Sequence, residues 1–156
     1  MPMPMPTFSG DVQARIARIT ASYLALTGRA LVTASHNDLV ATLWSASFAV
    51  VAHGTEPDPI FFFGNATALS LFEMDFAQFT QLASRLSAEP LQREERARLL
   101  DRVTRDGIIE DYSGVRISAS GRRFLIRNAA VWNLTDESGR PAGQAARFSE
   151  WTPIDA

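Results

Sequence analysis

The chain contains no cysteine. That absence excludes disulfides, thiolate metal sites, cysteine nucleophiles and flavin attachment through a thiol. Lysine is also missing, so all 15 basic residues are arginines and Schiff-base chemistry at a lysine amine is ruled out. Two histidines, His36 and His53, are present. They are too few for a histidine-rich metal site, so no metal is expected, and they are the histidines available to a haem. No apolar run approaches the roughly 20 residues that span a bilayer. The opening MPMPMP lacks the basic region and apolar core of a secretory signal, so no membrane association and a cytoplasmic location are expected. The net charge is −2, and the aromatics are not interleaved with a basic stripe, which argues against nucleic acid. GxGxxG, P-loop and GxSxG motifs are absent, and no cofactor is indicated.

What is present is one strong β pattern. Gly107 to Leu134 reads as two long strands joined by a tight turn at Ser120-Gly121. A period of two places Phe124, Ile126, Asn128, Ala130, Trp132 and Leu134 on one face of the second strand. A third run, Ala142 to Trp151, follows the turn residues Asp136 to Gly139 and extends the meander. Upstream, Phe48 to His53 and Ile60 to Phe63 form a strand pair around the turn-forming Gly54 to Pro59.

The remaining pattern is helical. Val12, Ile16, Ile19 and Tyr23 make one stripe of a helix that stops at Gly28. A short second helix, capped by a Ser35 and Asp38 pair, runs to about Ser47. Asn65 to Leu71 and Phe72 to Phe79 suit short helices, and Ser87 to Asp106 a longer one with Leu91, Leu99, Leu100 and Val103 on its apolar side. At 156 residues one domain suffices. The expected division is a flexible segment 1–10, N-terminal helices 11–47 and a core 48–156. This order predicts an α+β fold: a five-stranded antiparallel sheet with helices on one face, preceded by N-terminal helices. It resembles the PAS fold.

Four pieces sharpen the resemblance: AHGTEPDPIFFFGNATALSLFE, SRLSAEPLQREER, GIIEDYSGVRISASGRRFLI and VWNLTDESGRPAGQAARFSEW. In this order they look like the MEKHLA-domain family, from about Leu24 to Trp151, in its stand-alone bacterial form. The resemblance implies a PAS-related sensory or regulatory domain, without supplying a ligand or a catalytic residue. Ala52 and Phe62-Phe63-Gly64 stand where bacterial relatives would carry Ser and an Asn-Tyr-Ala run, implying a less polar strand here.

The candidate ligand contacts are spread along the chain. His53 and Asn65 flank the polar loop that also holds Asp58. Arg85 precedes the long helix with Ser87 and Glu89, where an anion could be met. Tyr112 and Arg116 share a strand face suited to a carboxylate. Asn128 and Trp132 would form a pocket wall with one polar group for orientation. Gln144 has four hydrogen-bonding sites to satisfy if buried. The leading expectation is a sensory module binding a small molecule or a regulatory partner protein, with output through a separate protein. One alternative is a small enzyme using His53 and Asp58 as an acid–base pair. The other is a pure interaction domain with a filled core. The N-terminal stripe either packs on its own sheet or forms a homodimer, the dimer being slightly preferred.

Overall fold

The Val12–Tyr23 stripe becomes α1, Gly10–Thr27. The Ser9 hydroxyl accepts from the Val12 N–H at its start, and Gly28, at φ 73°, closes it by donating to the Leu24 carbonyl. The computed structural model of the chain describes residues 3–88 and 90–154, the side chains of 90–93 and 96 excepted. Ser35 and Asp38 do not form the expected cap. Their side chains bond each other across a 3-10 turn that leads into α2, Leu39–Trp44.

Strands β1, Ala49–His53, and β2, Phe61–Gly64, pair antiparallel. Then come α3, Ala66–Phe72; α4, Phe76–Phe79; and α5, Pro90–Asp106. The meander follows as β3, Ile108–Ile117, and β4, Arg123–Thr135. The expected third run divides at Ser149 into β5, Pro141–Phe148, and β6, Glu150–Ile154. The sheet therefore has six strands, ordered β2-β1-β5-β4-β3, with β6 on the free half of β4. Strand β1 lies beside β5, as expected. All the pairings are antiparallel.

Helices α3 to α5 share one face of the sheet, as expected, and the N-terminal α1 takes the other. On the first face α1 lies across β4: Trp132 Nε1 donates to the Ile19 carbonyl at 3.2 Å, and the Trp132 and Tyr23 rings meet edge-on at 4.9 Å. Ile16, Ile19 and Trp132 are wholly buried there. The apolar stripe thus packs on the chain's own sheet, one of the two arrangements expected of it. On the second face, Leu99 and Val103 of α5 pack with Ile109 and Val131, while α3 and α4 lie over β1 and β2. The Leu91 side chain, expected among these contacts, lies outside the described residues.

The proline-rich start, expected to be loose, is docked over residues 3–9. Trp44 Nε1 donates to the Met3 carbonyl, and the Phe8 ring packs edge-on against Trp44 and Phe76. Residues 1 and 2 lie outside the described residues.

One departure re-aims β4. Tyr112 pairs with Ala129 and Gly114 with Ile126, so two steps on β3 face three on β4. The extra residue is a bulge at Arg127-Asn128, with Asn128 at φ 54°. The strict alternation expected from Phe124 to Leu134 therefore fails. Beyond the bulge Trp132 and Leu134 keep one face, and Ala129 and Val131 take the other, in line with Ile126 from before it.

Candidate functional site

A cavity of about 60 Å³ lies between the second sheet face and the helices α3 to α5. Its walls are mostly apolar, including Phe61, Phe72, Ile126, Ala129 and Val131. Four of the residues singled out in the sequence converge on it: His53, Tyr112, Arg116 and Gln144. Ser87, from the turn before α5, reaches it too, its hydroxyl already donating to the Ser84 carbonyl.

Strand pairing brings the polar groups there. His53 and Gln144 are register partners on β1 and β5, and so share a face. The His53 Nδ1–H donates to the Gly54 carbonyl at 2.9 Å, which fixes the ring. Close strand approach at this point needs Gly143, at φ 132°, because a Cβ there would collide with the His53 carbonyl. Gln144 donates through Nε2 to Asn133 Oδ1 at 2.9 Å. Its Oε1 is buried without a hydrogen-bond partner among the described residues. Such an acceptor carries a desolvation cost of about 1–3 kcal/mol until a donor reaches it.

Tyr112 and Arg116 approach from β3. The Arg116 guanidinium stands 5.2 Å from the Tyr112 ring and donates to the Val115 carbonyl. Gly114 between them leaves room for the tyrosine, whose hydroxyl occupies the place a Cβ would take.

The other candidates lie elsewhere. Trp132 is on the α1 face, away from the cavity, because the Asn128 bulge shifts the alternation by one residue. Asn128 itself is exposed and donates to Glu150 at 3.0 Å. Asn65 is a structural pin: its Oδ1 accepts from Val50 and Ala68, and its Nδ2 donates to Leu43 and Phe48. Arg85 pairs with Asp58 at 3.0 Å on the surface, so the carboxylate of the alternative acid–base pair is held in an ion pair with that arginine. Glu56, in the same loop, is a carboxylate that feels the charges of Arg15 and His53. Its own backbone N–H, and that of Ile60, hold it below the ordinary glutamate range against burial, with lesser help from Arg15 and His53. Glu89 lies outside the described residues.

Sequence reasoning missed Ile126, Ala129 and Val131 as the pocket wall. The available signal was the polar pair Arg127-Asn128 interrupting an alternating strand, with asparagine suited to positive φ. Size restricts what this cavity takes. A cavity of about 150 Å³ accommodates benzene, so a flavin ring system or a porphyrin does not fit in this one. The haem reading of His53 fails on that ground, and His36 lies in the exposed 3-10 turn before α2. Among the described residues no group of three or more acidic or histidine side chains is placed to hold a metal ion. No helix among them is long and apolar enough to cross a membrane.

A twisted antiparallel sheet that carries short helices, a longer helix and a cavity on one face is a PAS-like fold. Comparison with solved structures agrees. A PAS domain from Colwellia psychrerythraea superposes with a TM-score of 0.61 at 13% identity, covering 76% of this chain and 95% of that one. An RNA-binding light-oxygen-voltage receptor gives 0.60 at 16% identity, covering 99% of this chain but 37% of that one. The light-oxygen-voltage protein of Rhodobacter sphaeroides gives 0.59 at 11% identity, covering 91% and 68%. Within that class the chain belongs to the MEKHLA domain family, whose model matches residues 13–153. No curated protein matches it in sequence.

Proposed function

We propose that this MEKHLA domain is a sensory or regulatory module that binds a small molecule in the cavity beneath α3 to α5 and passes the signal to a partner protein. The observation that carries this reading is the buried, unpaired Oε1 of Gln144 on the wall of that cavity. A filled-core interaction domain has no reason to keep a buried acceptor unsatisfied, whereas a ligand bearing an N–H or O–H group satisfies it. The PAS-like fold and the family support the reading, since sensing is what the resemblance implies. The two open grooves, of about 560 and 340 Å³, line the rim around the β4–β5 turn; Gln144 also borders the smaller one, but it is the cavity that sets Gln144 beside His53, Tyr112 and Arg116.

The test combines native mass spectrometry with a thermal-shift screen of small polar molecules. The expected result is a ligand that raises the melting temperature of the wild type. Gln144→Leu should remain folded, with equal or greater stability without ligand, and bind that ligand about tenfold more weakly, near 1.4 kcal/mol. A wild type that no small molecule stabilises would favour the filled-core interaction domain. Consumption of the bound molecule, abolished by His53→Gln, would instead establish an enzyme.

A further inference from the structure

We infer that the cavity's ligand is a short-chain carboxylate held by Arg116. This rests on the ligand-binding reading above and names the chemical class that fills the site. Arg116 is 8% exposed and, as a guanidinium, always charged. Its neighbours are neutral: it donates to the Val115 carbonyl and lies beside the Tyr112 ring. Among the described residues no carboxylate lies within ion-pair distance of it.

Five exposed arginines make the contrast. Arg29, Arg85, Arg102, Arg105 and Arg122 each have an acidic partner, and their side chains are 48–82% exposed. Those charges are solvated and gain little from pairing. The buried cation is the one that needs a counter-charge, and it lines the cavity. An anion entering there removes that deficit, and a planar carboxylate matches the guanidinium fork with two parallel hydrogen bonds.

Size and wall chemistry narrow the class. About 60 Å³ is several times the roughly 10–15 Å³ of such space that one water needs and well below the roughly 150 Å³ that holds benzene, which admits a carboxylate of few heavy atoms: formate, acetate or propionate. Ile126 and Ala129 offer apolar contact for a short alkyl end. A dicarboxylate would bring a second charge into apolar walls that supply no second arginine among the described residues.

The experiment compares propionate with its neutral isostere propionamide, by isothermal titration calorimetry on the full chain. Propionate should bind at least tenfold more tightly than propionamide to the wild type. Arg116→Gln should lose that preference while still binding propionamide, and Arg116→Lys should restore part of it. Equal affinity of the wild type for the two probes overturns the carboxylate assignment and leaves the small-molecule reading standing. So does chloride or sulfate competing as well as propionate. No binding of either probe overturns the carboxylate assignment, and the Gln144→Leu screen then judges the broader reading separately. Should Arg116→Gln fail to fold, the propionate-to-propionamide comparison in the wild type decides alone.

Discussion

Asn65 shows how one side chain can hold three segments. Its amide meets four backbone groups, from α2, the start of β1 and the first turn of α3, and it is wholly buried. Removing it leaves those groups unpaired in a dry environment, each at about 1–3 kcal/mol. Some of that is recovered by relaxation or water entry. Asn65→Ala is therefore expected to lose about 3–4 kcal/mol, read from the urea midpoint and slope. A loss below about 1 kcal/mol would refute this role. An asparagine before an apolar helical run is a recognisable N-cap, so half of its function was legible in the sequence. The other half was not, because Leu43 and Val50 become neighbours only when α2 and β1 fold beside it.

Between elements, the joint from α3 to the β3–β4 turn depends on Glu73. This residue ends α3 at φ 58°, and its carboxylate accepts from Ser118 and Ser120, both at 2.5 Å, with Arg122 at 4.0 Å. The Ser118 hydroxyl, then that of Ser120, hold its pKa below the ordinary glutamate value. A carboxylate with a lowered folded pKa contributes stability that is present above the unfolded value and lost as pH falls through the folded one. Wild type should therefore be more stable than Glu73→Gln near neutral pH, and the difference should begin to shrink as the pH falls below the ordinary glutamate value of about 4.3 and disappear below the lowered folded one. Melting curves of both proteins from pH 7 to pH 3 check this, and a difference that grows on acidification would contradict it.

At the scale of the molecule, the sheet is enclosed from both sides and the two coverings are not equivalent. The α3–α5 side leaves a cavity, whereas the α1 side is filled by Ile16, Ile19 and Tyr23 against Trp132 and Leu134. Deleting α1 removes Ile16, Ile19 and Tyr23 and uncovers Trp132 and Leu134, so the burial of five side chains is lost, at about 1.5–3 kcal/mol each. That is comparable with the whole stability of a domain, about 5–15 kcal/mol. Removal of residues 1–28 is accordingly expected to abolish cooperative unfolding and to expose a dye-binding apolar surface. Retention of near-ultraviolet circular dichroism and a sharp transition would show that the core 48–156 stands alone.

The sequence by itself determined the strand and helix order, the Ser120-Gly121 turn, the Gly28 stop and the α1 stripe, because these follow from local periodicity and backbone preference. It also singled out His53 in a polar loop, Tyr112 and Arg116 on one strand face, and Gln144 by the hydrogen bonds its amide needs. Only the tertiary structure decided which of the candidates share a cavity. A one-residue bulge at Asn128 reverses the faces of everything after it, and whether that bulge forms depends on pairing with β3, β5 and β6. The same holds for charge. Arg85 and Arg116 look alike in sequence, yet Asp58 reaches one across a loop, while the sheet buries the other beside a tyrosine ring with no carboxylate among the described residues. Partner and dielectric are set by residues distant in the chain, and those two quantities separate the surface ion pair at Arg85 from the buried cation at Arg116.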